Sequence, residues 1–147
     1  MSLLAGVVLS LLTLQSPDKS ATTVRVYVFT ATASGGAATP EERGRLDAVN
    51  DMREALAHKK GITLVDTQSD ANVTMEVVGR EQREEPAGPF GGKAVTRLGD
   101  AIIRLKVKMG DDESELKGMG QGTWGRDAKD AADRFLKWVA RREPKRS

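Results

Sequence analysis

Residues 103–122 run IRLKVKMGDDESELKGMGQG, and this stretch decides how the chain folds. Ile103, Leu105, Val107 and Met109 alternate with Arg104, Lys106 and Lys108, which is the period of a strand with one apolar and one charged face. Gly110-Asp111-Asp112-Glu113 supplies turn chemistry, and Leu116 onward predicts the returning arm. Closing the hairpin on Asp111-Asp112 sets Val107 opposite Leu116, Leu105 opposite Gly118 and Ile103 opposite Gly120. The other face then sets Lys108 against Glu115, Arg104 against Met119 and Lys106 against Lys117. Gly118, Gly120 and Gly122 recur at period two, which strips one sheet face of side chains and lets a helix approach closely. That helix is predicted to begin near Asp127, to carry Ala128, Ala131, Ala132, Phe135, Leu136, Trp138 and Val139, and to stop before Pro144.

Upstream, Val73, Met75 and Val77 alternate in a strand running to about Glu81, and Ile62 to Val65 form a shorter one. Between these strands, Asp66 to Ala71 supply a turn. A helix from Pro40 to Lys59 has a marked start. Thr39 is its N-cap, Pro40 takes the first helical position, and Glu42 completes a capping box. Leu46, Val49, Met52 and Leu56 form its apolar stripe, Lys59 and Lys60 follow its last turn, and Gly61 offers a left-handed stop. Before it, Val24, Val26 and Val28 alternate with Arg25, Tyr27 and Phe29 in a strand from Thr22 to Thr30. The predicted class is α/β (α+β), in the order β-α-β-β-β-α: a mixed sheet of four to five strands with two helices packed on one face.

A chain of 147 residues has the length of one domain, placed here at residues 22–143, and needs no disulfide or metal to hold it. It has no cysteine, which removes thiol catalysis, thiolate zinc sites and the acceptor of a bacterial lipid anchor. Charged residues make up 30% of the chain and nearly balance at a net charge of +2, too weak a bias to favour nucleic acid. Residues 3–14 carry no charge, have the length of a signal-peptide core and fall short of a membrane span. Residues 1–16 are therefore expected to be a signal peptide or an uncleaved N-terminal anchor, with an apolar element packed on the domain as the alternative. Any membrane contact is expected through residues 3–14 alone, and only if they are not cleaved. Residues 144–147 form a basic tail.

Gly120 to Gly125 match G-x-G-x-x-G, but a dinucleotide site also needs a following strand and an acidic residue about twenty positions on. Only one helix follows, so these read as packing glycines. Gly91-Gly92-Lys93-Ala94 resembles a phosphate loop, yet Ala87 replaces its first glycine and Ala94 lacks the hydroxyl that would hold magnesium. Residues 84–93 contain two prolines and three glycines and are read as one long loop. Such loops are disordered or used for binding, and the binding reading puts Phe90 as anchor with Arg80, Arg83, Lys93 and Arg97 around it. Arg104, Lys106, Lys108 and Lys117 are expected on the sheet face opposite the helices. That face is either solvated, with Glu76 and Glu115 as counter-ions, or a surface for an anionic partner. Asp111, Asp112, Glu113 and Glu115 lack the alternating spacing of a calcium loop and read as a solvated hairpin tip.

Helix, then Gly61 to Asp66, then Ser69-Asp70-Ala71-Asn72-Val73-Thr74-Met75-Glu76-Val77, then a hairpin and a closing helix: this order resembles small α/β domains of bacterial envelope proteins. The families in view are the N-terminal domain of the Tol system's periplasmic protein and the lipoprotein activators of cell-wall synthases. The resemblance spans roughly Val24 to Ala140 and implies a periplasmic or secreted, non-catalytic binding or adaptor domain. Its partner would be an envelope protein or an anionic envelope polymer, and it would need no cofactor. The partner-binding residues expected are Phe90, Lys93, Arg97, Arg104, Lys106, Lys108 and Lys117, with no catalytic or metal-ligating set. Two alternatives stay open: a small hydrolase using His58, the one histidine, and a cytoplasmic domain that binds anions or nucleic acid.

Overall fold

The computed structural model describes residues 23–32, 36–85, 97–121 and 125–142, and the side chains of 83–85 and 97–99 are not described. The expectations for residues 1–16, for most of the 84–94 loop, for Gly122 and for the basic tail lie outside these residues. The elements are β1 (Val24–Phe29), α1 (Pro40–Ala57), β2 (Ile62–Leu64), a 3-10 turn (Gln68–Asp70), β3 (Val73–Glu85), β4 (Arg97–Met109), β5 (Asp112–Gly120) and α2 (Arg126–Ala140). The fold is α+β, as read from the sequence, with five strands and hence one more than in the written order. The sheet runs β2-β1-β3-β4-β5. β1 lies parallel to both β2 and β3, and β3, β4 and β5 form an antiparallel meander.

One sheet face carries the core. Val24, Val26 and Val28, Val73, Met75 and Val77, and Ile103, Leu105 and Val107 are buried against Ala48, Met52, Ala55 and Leu56 of α1 and against Ala128, Ala131, Ala132, Phe135, Trp138 and Val139 of α2. α1 starts with the expected capping box: the Glu42 amide donates to Thr39 Oγ1 at 3.2 Å, and the Thr39 amide donates to Glu42 Oε2 at 2.7 Å. It ends at Ala57 instead of Lys59, and Gly61 takes φ +78°, the left-handed stop. Leu46 is exposed; the seam is shifted toward Ala48 and Ala55, small residues that let α1 sit close to the sheet.

The β4–β5 hairpin closes on Gly110-Asp111, one residue earlier than expected, with Met109 opposite Asp112. Gly110 has φ +60° and no non-glycine residue has positive φ among the described residues, the pattern of a tight two-residue turn with glycine first. The register therefore moves by two. Val107 faces Ser114, Leu105 faces Leu116, Ile103 faces Gly118, and Lys106 meets Glu115 in place of Lys117. A shift of two leaves every side chain on its expected face.

β3 also differs from expectation. It continues through Glu84 and Glu85, which pair with Leu98 and Arg97, so these two glutamates belong to the sheet and not to the loop. Val77 pairs with Leu105 and Gly79 with Arg104, leaving Val78 as an extra, bulged residue. One inserted residue inverts the alternation beyond it. Arg80, expected beside the loop, therefore pairs with Ile103 and faces the helices.

There Arg80 meets both helices. Its Nε and Nη2 each lie 2.9 Å from the Asp127 carboxylate at the start of α2, and Nη1 lies 2.7 Å from Asp51 of α1. Asp127 is fully buried and also accepts from the Ala128 amide at 2.9 Å. Burial is the largest single influence on Arg80 and works to lower its pKa. The hydrogen bonds and charges of Asp127, then of Asp51, outweigh it and hold the guanidinium above its ordinary value.

α2 crosses β5 at its glycines. A Cβ on Gly118 would strike the Asp127 carbonyl and come within 2.5 Å of the Ala131 Cβ, and one on Gly120 would strike the Asp127 amide. These two glycines are the packing residues the sequence suggested.

Asp127→Ala leaves a buried cation without its main partner and is expected to cost about 3–5 kcal/mol of unfolding free energy in urea titration. Asp66→Ala removes only an exposed pair with Arg53 and should cost less than about 1 kcal/mol. Gly118→Ala should destabilise by about 1–3 kcal/mol through overpacking. Gly79→Ala, whose Cβ would meet nothing within 4 Å, should leave the melting temperature much closer to that of the parent.

Candidate functional site

The sheet face away from the helices is built by the residues that alternate with the core. Arg25, Tyr27 and Phe29 come from β1, Thr74 and Glu76 from β3, Arg104, Lys106 and Lys108 from β4, and Glu113, Glu115, Lys117 and Met119 from β5. Register turns these into rows across the strands. Phe29, Glu76, Lys106 and Glu115 form one row, and Tyr27, Thr74, Lys108 and Glu113 the next. The four expected cations Arg104, Lys106, Lys108 and Lys117 share this face as read, but carboxylates are interleaved with them. Arg104 lies 2.8 Å from Glu81, and Lys106 lies 3.0 Å from Glu113. The hydrogen bond and charge of Glu113 hold the Lys106 pKa above its usual value, with smaller contributions from Glu76 and Glu115. The face is checkered, not uniformly basic.

Its apolar component was not singled out from sequence. Tyr27 and Phe29 stack with centroids 5.4 Å apart, and Val78 and Met119 are 50% and 52% exposed. Side chains two residues apart on one strand face the same way, so Tyr27 and Phe29 were readable as neighbours. Val78 owes its exposure to the bulge, which carries no clear sequence mark.

A concavity of about 500 Å³ runs along the outer edge of β5 beneath α2. Ser114, Glu115, Leu116 and Lys117 form one wall, Asp130, Asp133, Arg134 and Lys137 the other, with Trp138 at its base. The Arg142 guanidinium covers the Trp138 ring at 4.2 Å and reaches toward Asp112 at 3.4 Å, joining the end of α2 to the start of β5. Asp133 also bonds Lys59 at 2.6 Å, tying the two helices.

Of the remaining expected site residues, Phe90 and Lys93 lie outside the described residues, and Arg97 opens β4 opposite Glu85. His58 caps α1 at its C-terminal end and is exposed. Among the described residues, no three histidine or carboxylate side chains are grouped to hold a metal ion. No described helix is long and apolar enough to cross a membrane.

No family model matches the chain, and no curated protein matches it. Comparison with solved structures finds low-scoring similarities. The N-terminal domain of Thermus thermophilus Protein Y is 12% identical with a TM-score of 0.34, over 78% of this chain and 93% of that one. A minor lipoprotein from Acinetobacter baumannii is 11% identical with a TM-score of 0.38, over 81% and 94%. An uncharacterised lipoprotein B from Nitrosomonas europaea is 11% identical with a TM-score of 0.38, over 80% and 82%.

The open-face ion pairs are solvated, so Arg104→Ala and Lys106→Ala are each expected to change unfolding free energy by less than about 1 kcal/mol, measured by urea titration.

Proposed function

We propose that this chain is an exported binding module of the bacterial envelope, and that it engages a protein partner through the open face of its sheet. The observation that carries the reading is the composition of that face. A stacked Tyr27–Phe29 pair and exposed Val78 and Met119 lie beside interleaved cations and carboxylates. Aromatic and apolar anchors within a polar surround are what protein interfaces use. The interleaved charge favours a protein over an anionic polymer, because Glu81 and Glu113 already neutralise Arg104 and Lys106 and a polyanion would be repelled by them. Phe90 and Lys93, in the sequence between β3 and β4, are proposed to extend the contact. Export rests on the uncharged run at residues 3–14.

The test places a photo-reactive residue at Val78 in the full chain expressed in a bacterial host, with Glu54 on the exposed side of α1 as control. The expected result is a discrete protein adduct from position 78 and none from 54, on a chain recovered outside the cytoplasm with its first residues removed. Equal labelling from both positions would defeat the face. An intact chain confined to the cytosol would defeat export.

A further inference from the structure

β5 is an edge strand of nine residues, and a strand this long at a sheet edge is a template for pairing. The direction of its free groups is fixed by one hydrogen bond. The Met119 amide donates to Asp130 Oδ2 at 2.9 Å, so at Met119 the backbone points away from β4. By the two-residue alternation of an antiparallel strand, Lys117, Glu115 and Glu113 point their amides and carbonyls the same way. At 119 this edge is occupied by Asp130; from 113 to 117 the main-chain groups face outward along the rim of the 500 Å³ cleft.

The charges along this edge are self-complementary. β5 carries Glu113 and Glu115 and then Lys117. α2 runs opposite to β5, since Asp127 and Ala131 sit on Gly118 while Arg142 reaches Ser114 and Asp112. Its cleft-lining side chains change from Asp130 and Asp133 to Arg134, Lys137 and Arg141. Each element is thus acidic at its N-terminal part and basic at its C-terminal part. A two-fold axis beside β5 reverses both elements in the second copy and sets acidic against basic in the strand layer and in the helix layer alike.

We propose that the partner of the β5 edge is a second copy of this chain, added as an antiparallel strand with the two-fold axis at Leu116. Only odd-numbered residues point outward, so a bonded register pairs odd with odd, and an axis on an odd residue, 115 or 117, sets that charge against its own copy. An axis at 114 sets Glu113 against Glu115 of the second copy, and an axis at 118 sets Lys117 against Met119. The axis at 116 sets Glu115 against Lys117 twice. It also brings the two half-buried Leu116 side chains together in a close, non-hydrogen-bonded pair on the helix side, where Leu116 already packs on the core. Two five-stranded sheets become one continuous sheet, and the two open faces become one surface. This inference stands apart from the binding role of that face.

The test is charge exchange on the full chain, followed by sedimentation equilibrium over a range of concentrations. The parent is expected to dimerise. Glu115→Lys sets lysine against lysine and Lys117→Glu sets glutamate against glutamate, and each should weaken the homodimer about tenfold or more. Mixing the two variants restores both attractive pairs and should give a heterodimer, as should the double variant with itself. Glu115 and Lys117 are exposed, so the fold should tolerate either change. In a second measurement, Leu116→Cys introduces the sole thiol of the chain, at a pair whose Cα separation suits a disulfide. Oxidation should give a covalent dimer in which the charge variants no longer dissociate. A parent that stays monomeric into the hundreds of micromolar, leaving the edge for a foreign strand, would overturn the proposal. So would a dimer that neither single variant weakens.

Discussion

Arg80 is the point at which the sheet and both helices are joined, and the arrangement of the remaining layers depends on it. A guanidinium with 6% of its side chain exposed is tolerable in a small core only when its donors are matched by fixed carboxylates. Asp127 supplies a bidentate match from the first turn of α2, and Asp51 supplies a second from the middle of α1. The geometry of three elements is thereby coupled. If α2 slid along the sheet, Asp127 would leave Arg80 and strand a buried guanidinium without its bidentate partner. Apolar contacts alone would permit such sliding, because methyl and methylene groups accept many neighbours at similar energy. The ionic cluster supplies direction, and the hydrophobic core supplies most of the driving force.

Close approach of α2 to β5 is the companion constraint. Gly118 and Gly120 leave no side chain between helix and strand, and Ala128, Ala131 and Ala132 present small groups from the other side. Farther along α2, the buried Phe135 and Trp138 take the place of the alanines and stack with centroids 6.0 Å apart. The cleft along the β5 edge is lined by the same stretch of helix, from Asp130 to Arg141.

The hairpin shows how far residue patterns reach. Alternation in Ile103 to Met109 places each of these side chains on its proper face, and the helix over Pro40 is legible because capping, proline position and apolar spacing agree. The hairpin register is less legible. Gly110-Asp111 and Asp111-Asp112 are both turn-forming pairs, and the two registers differ by two residues, which leaves the faces unchanged. What separates them is the left-handed φ of Gly110. Arg80 is harder still, since its inward direction depends on one extra residue at Val78, and the sequence there reads as an ordinary alternating strand. On the open face the cations are legible from the β4–β5 hairpin alone. Alternation also puts Glu76 and Glu115 among them, but the ion pairs go to Glu81, which the bulge turns to this face, and to Glu113. The aromatic pair joins them only because β1 and β3 are neighbours, which alternation within single strands does not specify.

The bulge at Val78 has an evolutionary corollary. Because one supernumerary residue sets the phase from Gly79 to Gln82, losing it would swing Arg80 outward and turn Glu81 into the apolar layer in a single step. Substitutions at Val78 are mild by comparison, since its side chain is half in solvent. Descendants of this chain should therefore vary freely in the identity of that residue while keeping the spacing from Val77 to Arg80 fixed, so that segment length, more than its lettering, is the inherited character.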